Sequence, residues 1–386
     1  MNQSGRRLVP RASITVRGKS EPVSRSGEIS PGVAVELLKI LRCPHDFSVL
    51  DPHGEDRLNC QKNHAFPVIE GIPVLLRSDQ PETLWVAGAS WKSANNWMEG
   101  LDRSDPRFVS TLGVSDKLRA SISLALKRKS ECAVDPVISH LVLATSGYLY
   151  EKLIGKLDST PIPHLRMERG DGKTLLDVGS NWGRWTMAAA MSGYRVVGLD
   201  PSIGALLTAK RLAEKLGLRC WFVCADGRFL PFVDQSFSRV FSYSVLQHFA
   251  ETDTILCLRD VGRVLEKGGI SLVQMPNHYG VRGFYHRWRR GFRPAAGFEV
   301  RYWKPKDLVR VFRQTIGASK LSVDGFLGLG IQASDYRIVP LKSKIVILTS
   351  EILRHLAKIF PPLKFAADSL YVSSVSMIER HRQTSE

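Results

Sequence analysis

No apolar run in the 386 residues approaches the ~20 that a helix needs to cross a bilayer, so a transmembrane helix is not expected. Cysteine is scarce, six in all, and follows no regular spacing. That excludes the disulfide framework of a small secreted scaffold. The first thirty residues lack the apolar core of a secretory signal. No internal repeat is visible. Acid is the other shortage: 37 Asp and Glu face 54 Lys and Arg, a formal net charge of +17. Such an excess of cations points to an anionic partner. Nucleic acid, a membrane surface and a phosphorylated substrate all stay open on charge alone. The rest of the composition, 44% hydrophobic and 24% charged, is that of a globular chain long enough for two or three domains.

The stretch Lys173 to Leu199 organises the chain. Thr174 to Val178 is a short apolar run containing Asp177, the pattern of a buried parallel strand. Gly179-Ser180-Asn181-Trp182-Gly183 makes a glycine-bounded turn, and Trp185 to Met191 reads as a small-residue helix. Tyr194 to Leu199 is a second buried strand, closed by Asp200. Strand, turn, helix, strand and acid form a βαβ unit. Its turn offers backbone N–H groups and a helix N-terminus to a ligand, and its acid a carboxylate for ribose hydroxyls. The glycine pattern is G-x-x-x-G rather than G-x-G-x-x-G, a weak signal alone.

The following residues strengthen it. Ala225-Asp226-Gly227-Arg228 ends a third strand, Val240 to Ser244 is a fourth, Val245 to Phe249 opens a helix, and Ile270 to Met275 is a fifth strand. In order, these motifs resemble class I S-adenosylmethionine (SAM)-dependent methyltransferases, most closely the branch of ubiquinone and menaquinone biosynthesis. The resemblance covers roughly residues 145–328. It implies an α/β fold with a Rossmann-like seven-stranded sheet whose last strand is antiparallel. It implies SAM as cofactor, held by Asp177, Gly179, Ser180, Asn181, Gly183, Asp200, Pro201, Asp226, Gly227 and Tyr243. Asp200 would accept from both ribose hydroxyls, Asp177 would lie near the amino group, and Asp226 would accept from the adenine amine. Ser180 stands where many relatives carry Cys. Trp182, Trp185 and Tyr243 are aromatic neighbours that either face the sulfonium or pack. His248 is the first candidate base, with His278 and Tyr279 after the fifth strand as second candidates.

The flanks divide as follows. Residues 1–32 read as a disordered basic tail, with a transit peptide as the alternative. Residues 33–76 carry C-x2-D (Cys43, Asp46) and C-x3-H (Cys60, His64), nearly the four ligands of a zinc ribbon. The module resembles small zinc-ribbon-like proteins that activate methyltransferases, and the N-terminal ribbon of some rRNA guanine methyltransferases. Asp46 in place of Cys leaves two readings, bound zinc and a metal-free β module. Residues 77–172 read as a helical connector, with Trp85, Trp91 and Trp97 as a core stripe and Tyr148 and Tyr150 as lid or packing residues. Residues 173–386 form the catalytic domain, with a helical insertion at about 327–368 in the final hairpin.

The leading functional expectation is methyl transfer to a hydroxyl of a small-molecule, sugar or lipid-linked acceptor, anionic in character, in a cytoplasmic protein with a possible peripheral membrane contact. The alternatives are an RNA methyltransferase and a catalytically silent SAM-fold scaffold. No RNA-binding module and no Asn-Pro-Pro-Tyr-type motif is present; Met275-Pro276-Asn277-His278 follows the fifth strand instead. Arg282, Arg287, Arg289, Arg290 and Arg293, interleaved with aromatics, are the expected acceptor side.

Overall fold

The computed structural model describes residues 32–77, 79, 85–128, 133–146, 148–328 and 330–377. All but the last residue of the tail expected over 1–32 lies outside them. The ribbon region holds α1 (Val35–Ile40), β1 (Leu50–Pro52), β2 (Arg57–Cys60), β3 (Ala65–Ile69) and β4 (Ile72–Leu75). The connector holds α2 (Trp85–Met98), α3 (Asp116–Lys127) and α4 (Pro136–Ser146). Then follow β5 (Thr174–Val178), α5 (Arg184–Met191), β6 (Arg195–Asp200), α6 (Ile203–Lys215), β7 (Cys220–Ala225) and β8 (Phe237–Ser242). The last part holds α7 (Glu251–Val264), β9 (Leu265–Pro276), α8 (Val281–Arg289), α9 (Pro305–Thr315), β10 (Gly317–Val323), α10 (Leu341–Ile359) and β11 (Ser369–Ser376).

Strands β5 to β11 form the seven-stranded α/β sheet, in the order β7-β6-β5-β8-β9-β11-β10. β11 is antiparallel to both β9 and β10, and its neighbours on the other side of β9 run parallel. The order reverses beside β5, between β6 and β8. That switch point is where an open α/β sheet leaves a crevice at the carboxyl ends of its strands.

The ribbon strands continue this sheet. β1 to β4 form an antiparallel series, and β4 pairs parallel with β7 through Val74 opposite Cys224 and Leu75 opposite Ala225. Alternation then assigns residues to faces. Val223 and Ala225 join one core with Leu75, Leu41 and Phe66 of the ribbon and Leu258 and Phe312 of α7 and α9. Phe222 and Cys224 join a second core with Val74, Ala94 of α2, Leu141 of α4 and Leu206 of α6. The sheet is therefore sandwiched between helices, as a parallel sheet with two apolar faces requires.

The connector is tied to the N-terminus of α6. Gly204 N–H donates to Thr111 Oγ1 at 3.0 Å, Ser202 Oγ donates to Thr111 O at 2.9 Å, and Ile203 N–H donates to Ser90 Oγ at 3.2 Å. A Cβ on Gly204 would lie 2.3 Å from Phe108 O, so only glycine allows this approach. Of the tryptophan stripe, Trp91 and Trp97 pack against the cores, while Trp85 is exposed under the Arg119 guanidinium. Tyr150 is buried and donates to Asp335, a packing role; the side chain of Tyr148 lies outside the described residues.

One element departs from expectation. Val245 to Phe249 does not open a helix: Leu246–His248 is a single 3-10 turn, Phe249 is extended with ψ of 148°, and α7 starts at Glu251. Phe249 stays extended because its ring is drawn into the core beneath the turn. Phe232 tests how far ribbon and sheet share one core. It is fully buried, bridges to Leu41, and meets Phe237 edge-on with ring centroids 5.0 Å apart. Phe232→Ala should cost about 3–5 kcal/mol in urea unfolding, in a single transition seen alike by fluorescence and circular dichroism. Two separated transitions would show that the ribbon unfolds by itself.

Candidate active site

The turn after β5 is built for close approach. Gly179 and Gly183 have φ of 78° and 82°, and Asn181 between them has φ of 47°. A Cβ on Gly179 would lie 2.2 Å from Val245 Cγ2. Glycine is thus required by conformation and by space. The backbone N–H groups of Asn181 and Ser202 each donate to a different oxygen of Asp200, both at 2.9 Å. These two bonds lock the turn after β5 to the turn after β6. Asp200 is 6% exposed, and burial raises its carboxyl to about 6, against the pull of the two N–H groups. A carboxylate has about four lone-pair sites, so about two remain for a ligand. Ser180 Oγ is buried with no hydrogen-bond partner among the described residues. A buried orphan hydroxyl beside a glycine turn is a position for a ligand's polar atom.

Gly179, Ser180, Asn181, Asp200, Pro201, Asp226, Gly227 and Tyr243 line a single cavity of about 780 Å³. Its size lies in the upper part of the usual range for small-molecule sites, room for a cofactor and an acceptor together. Gly183 and Asp177 do not line it. Gly183 packs against Ala209 and Met187 of the helices behind. Asp177 is buried under the turn, where it accepts from Thr186 Oγ1 at 2.7 Å, and burial lifts its carboxyl to about 7. It supports the turn from below and does not face the cavity. Asp226 reaches the cavity but is gripped by Arg228, whose Nη2 donates at 2.7 Å while Nη1 reaches Asp253 at 3.4 Å. Trp182 is buried, its Nε1 donating to Thr145 Oγ1 at 3.1 Å. Trp185 packs against Tyr243 with the rings tilted by 34° and their centroids 4.7 Å apart.

His248 lines the cavity; His278 and Tyr279 do not. The His248 ring lies on Phe298, centroids 3.8 Å apart, with Nδ1 2.7 Å from Phe298 O. Only a protonated nitrogen can meet a carbonyl, so Nδ1 carries the proton and Nε2 the lone pair. Burial lowers the ring's pKa to about 4, which keeps it neutral near pH 7. His278 is instead bound by Arg287, which spans its ring nitrogen at 3.0 Å and its carbonyl at 2.8 Å. Tyr279 is 55% exposed.

Apart from Tyr243, sequence reasoning missed the far wall. Tyr243 OH donates to Asp324 Oδ2 at 2.7 Å and accepts from Gln332 Nε2 at 2.8 Å, and Arg166 pairs with Asp324 at 3.6 Å. Asp324 directly follows β10, at the carboxyl edge of the sheet, where the strand-end rule could have found it. Gln332 and Arg166 come from an insertion and a linker with no pattern to mark them. Of the arginine run, Arg282, Arg289 and Arg290 line the cavity, whereas Arg287 and Arg293 do not; Arg293 is paired with Glu299 at 2.7 Å.

In the ribbon, one ligand atom from each of Cys43, Asp46, Cys60 and His64 lies within 4.8 Å of all the others. His64 Nδ1 is 3.4 Å from Cys43 Sγ, 3.2 Å from Cys60 Sγ and 3.5 Å from Asp46 Oδ2, and Cys60 Sγ is 3.7 Å from Asp46 Oδ2. A tetrahedron with bonds of about 2.0–2.3 Å has edges of about 3.3–3.8 Å, and these four separations lie close to that range. Asp46 is oriented by Ser48, whose N–H and Oγ donate to Oδ1.

Residues 175–269 match the sequence model of a family described as a methyltransferase domain. A ubiquinone biosynthesis O-methyltransferase of Azorhizobium caulinodans is 27% identical over 33% of this chain and 60% of its own length. A demethylmenaquinone methyltransferase of Corynebacterium kroppenstedtii is 32% identical over 27% of this chain and 42% of its own. The chain thus spans less than two thirds of either relative. Among solved structures, a chain from the complex containing the Haloferax volcanii Trm112 methyltransferase activator matches with 17% identity and a TM-score of 0.40, over 69% of this chain and 100% of that one.

Proposed function

We propose that this chain, whose residues 175–269 form a class I SAM-dependent methyltransferase domain, methylates a hydroxyl of a small-molecule, sugar or lipid-linked acceptor. The observation that carries the cofactor reading is the buried Asp200 carboxylate. It is fixed by two backbone N–H groups at the switch point and has lone pairs left toward the cavity. Asp200 would hold the ribose hydroxyls, Ser180 Oγ would supply a further polar contact, and Asp226 and Gly227 would flank the adenine. Bound there, SAM would supply a methyl carbon activated by its sulfonium.

The remaining wall suits the acceptor. Arg289 and Arg290 bring positive charge to the cavity, and Leu327, Ile331 and Ile347 bring apolar surface. Arg290 Nε is buried with no partner among the described residues, a donor available to an anionic group. The named activities of the two relatives, on ubiquinone and menaquinone precursors, favour a lipid-linked acceptor. His248 Nε2, which accepts from Gln247 Nε2 at 3.1 Å, would take the hydroxyl proton once the acceptor displaces that amide. A ring with a pKa near 4 is a weak base, but an oxygen that is gaining a methyl group becomes a strong acid, so a weak base suffices. Cys43, Asp46, Cys60 and His64 would hold a structural zinc.

Asp200→Ala should weaken SAM binding at least about tenfold in calorimetry, since one charge-assisted hydrogen bond is worth roughly 1.5–3 kcal/mol. In the unsubstituted protein, affinity should fall as pH drops through about 6, where the carboxylate takes up its proton. Unchanged affinity in the variant would remove Asp200 from the ribose site. Protein purified without chelator should contain near-stoichiometric zinc by elemental analysis, and Cys60→Ser should lose it. A metal-free protein would make the ribbon a purely structural β module.

A further inference from the structure

We propose that α8 and α10 dock this protein on the surface of an anionic lipid bilayer, with the cavity mouth between them. On α10, Leu341, Ile345, Leu348, Ile352, Leu356 and Ile359 recur at steps of three and four, and each is between 45% and 82% exposed. They form one apolar stripe along the whole helix. The opposite face, Ser343, Ile347, Ser350 and Ala357, is the buried one. On α8, Val281, Phe284, Tyr285 and Trp288 follow the same spacing and are between 48% and 67% exposed. Two amphipathic helices thus turn their apolar faces outward, the reverse of what a core-packing helix does.

Both helices also border the active site. Arg282, His286 and Arg289 of α8 line the cavity, as do Ile347, Ser350 and Glu351 of α10. The loop 325–328 lies between them. Ser350 Oγ accepts from Leu327 N–H at 3.1 Å, and the Arg282 guanidinium donates to Gly328 O. The apolar faces therefore flank one opening.

Charge decides the occupant. Lys342, Lys344, Lys358 and Lys364 make no ion pair among the described residues, although Lys344 and Lys364 lie over the Tyr336 and Phe365 rings at 5.3 Å, and the chain carries +17 overall. A second copy would bring the same positive flank against this one. An anionic bilayer offers negative headgroups to the lysines and acyl chains to the stripe, and Trp288 and Tyr285 suit the boundary between them. Among the described residues no helix is long and apolar enough to cross a membrane, so the contact lies in the plane of the surface.

Flotation with vesicles tests this without cofactor or acceptor, so its outcome is independent of the methyl-transfer reading. The protein should float with phosphatidylcholine–phosphatidylglycerol vesicles, much less with phosphatidylcholine alone, and less as salt rises. Tryptophan emission should shift to the blue on binding. The triple variant Ile345→Asp, Leu348→Asp, Ile352→Asp changes only exposed positions. It should keep its melting temperature and lose at least about tenfold in partitioning. A second variant, Lys342→Gln with Lys358→Gln, should lose the preference for anionic vesicles. The proposal is overturned if the parent protein does not float, or if the triple variant floats equally well. Self-association that the triple variant abolishes, without any flotation, would overturn it in favour of a second copy.

Discussion

Everything in the site depends on one buried carboxylate. Asp200 closes β6 at 6% exposure, and two backbone N–H groups from different turns converge on it. Burying an acid is unfavourable, which is why its pKa rises to about 6. The N–H bonds offset part of that penalty, and they do so only if the turn 179–183 and the turn at Ser202 hold their shapes. The positive φ at Gly179, Asn181 and Gly183 is what lets the Asn181 N–H point at Asp200. A ligand donating two hydroxyl protons to the remaining lone pairs would satisfy the group.

The rest of the chain keeps that geometry in place. The connector caps α6 through Ser90 and Thr111, which fixes the turn at Ser202 from behind. Asp177 and Thr186 brace the glycine turn from below. The ribbon covers the free edge of β7 through β4, so the sheet that carries Asp200 has no bare parallel edge on that side. Phe232 and Leu41 then join the two parts in one core.

What the sequence made legible was what local chemistry dictates. The buried strands, the glycine turn and the acid that closes β6 follow from short-range patterning, and the seven-stranded sheet with its antiparallel last strand follows from the resemblance. The ribbon quartet could be read from spacing because two knuckles must place their donors at turns. The extended Phe249 was not legible, because its ring is drawn into a core assembled from distant segments. Nor was the Tyr243–Asp324–Gln332 wall, which joins residues 81 and 89 positions apart. Aromatic and basic residues after the fifth strand were visible as a run. Their division into cavity-lining Arg289 and Arg290 and tethered Arg287 depends on which face of α8 meets the sheet.

The central claim is that Asp200 and its turn hold a methyl donor beside a wall suited to a lipid-linked or glycan hydroxyl. Transfer of tritiated methyl from SAM into fractionated cell extract tests it most directly. The account predicts label in the organic-soluble or glycan fraction, lost with Asp200→Ala and resistant to ribonuclease. Label confined to RNA would contradict the acceptor, and absence of both transfer and SAM binding would contradict the site itself.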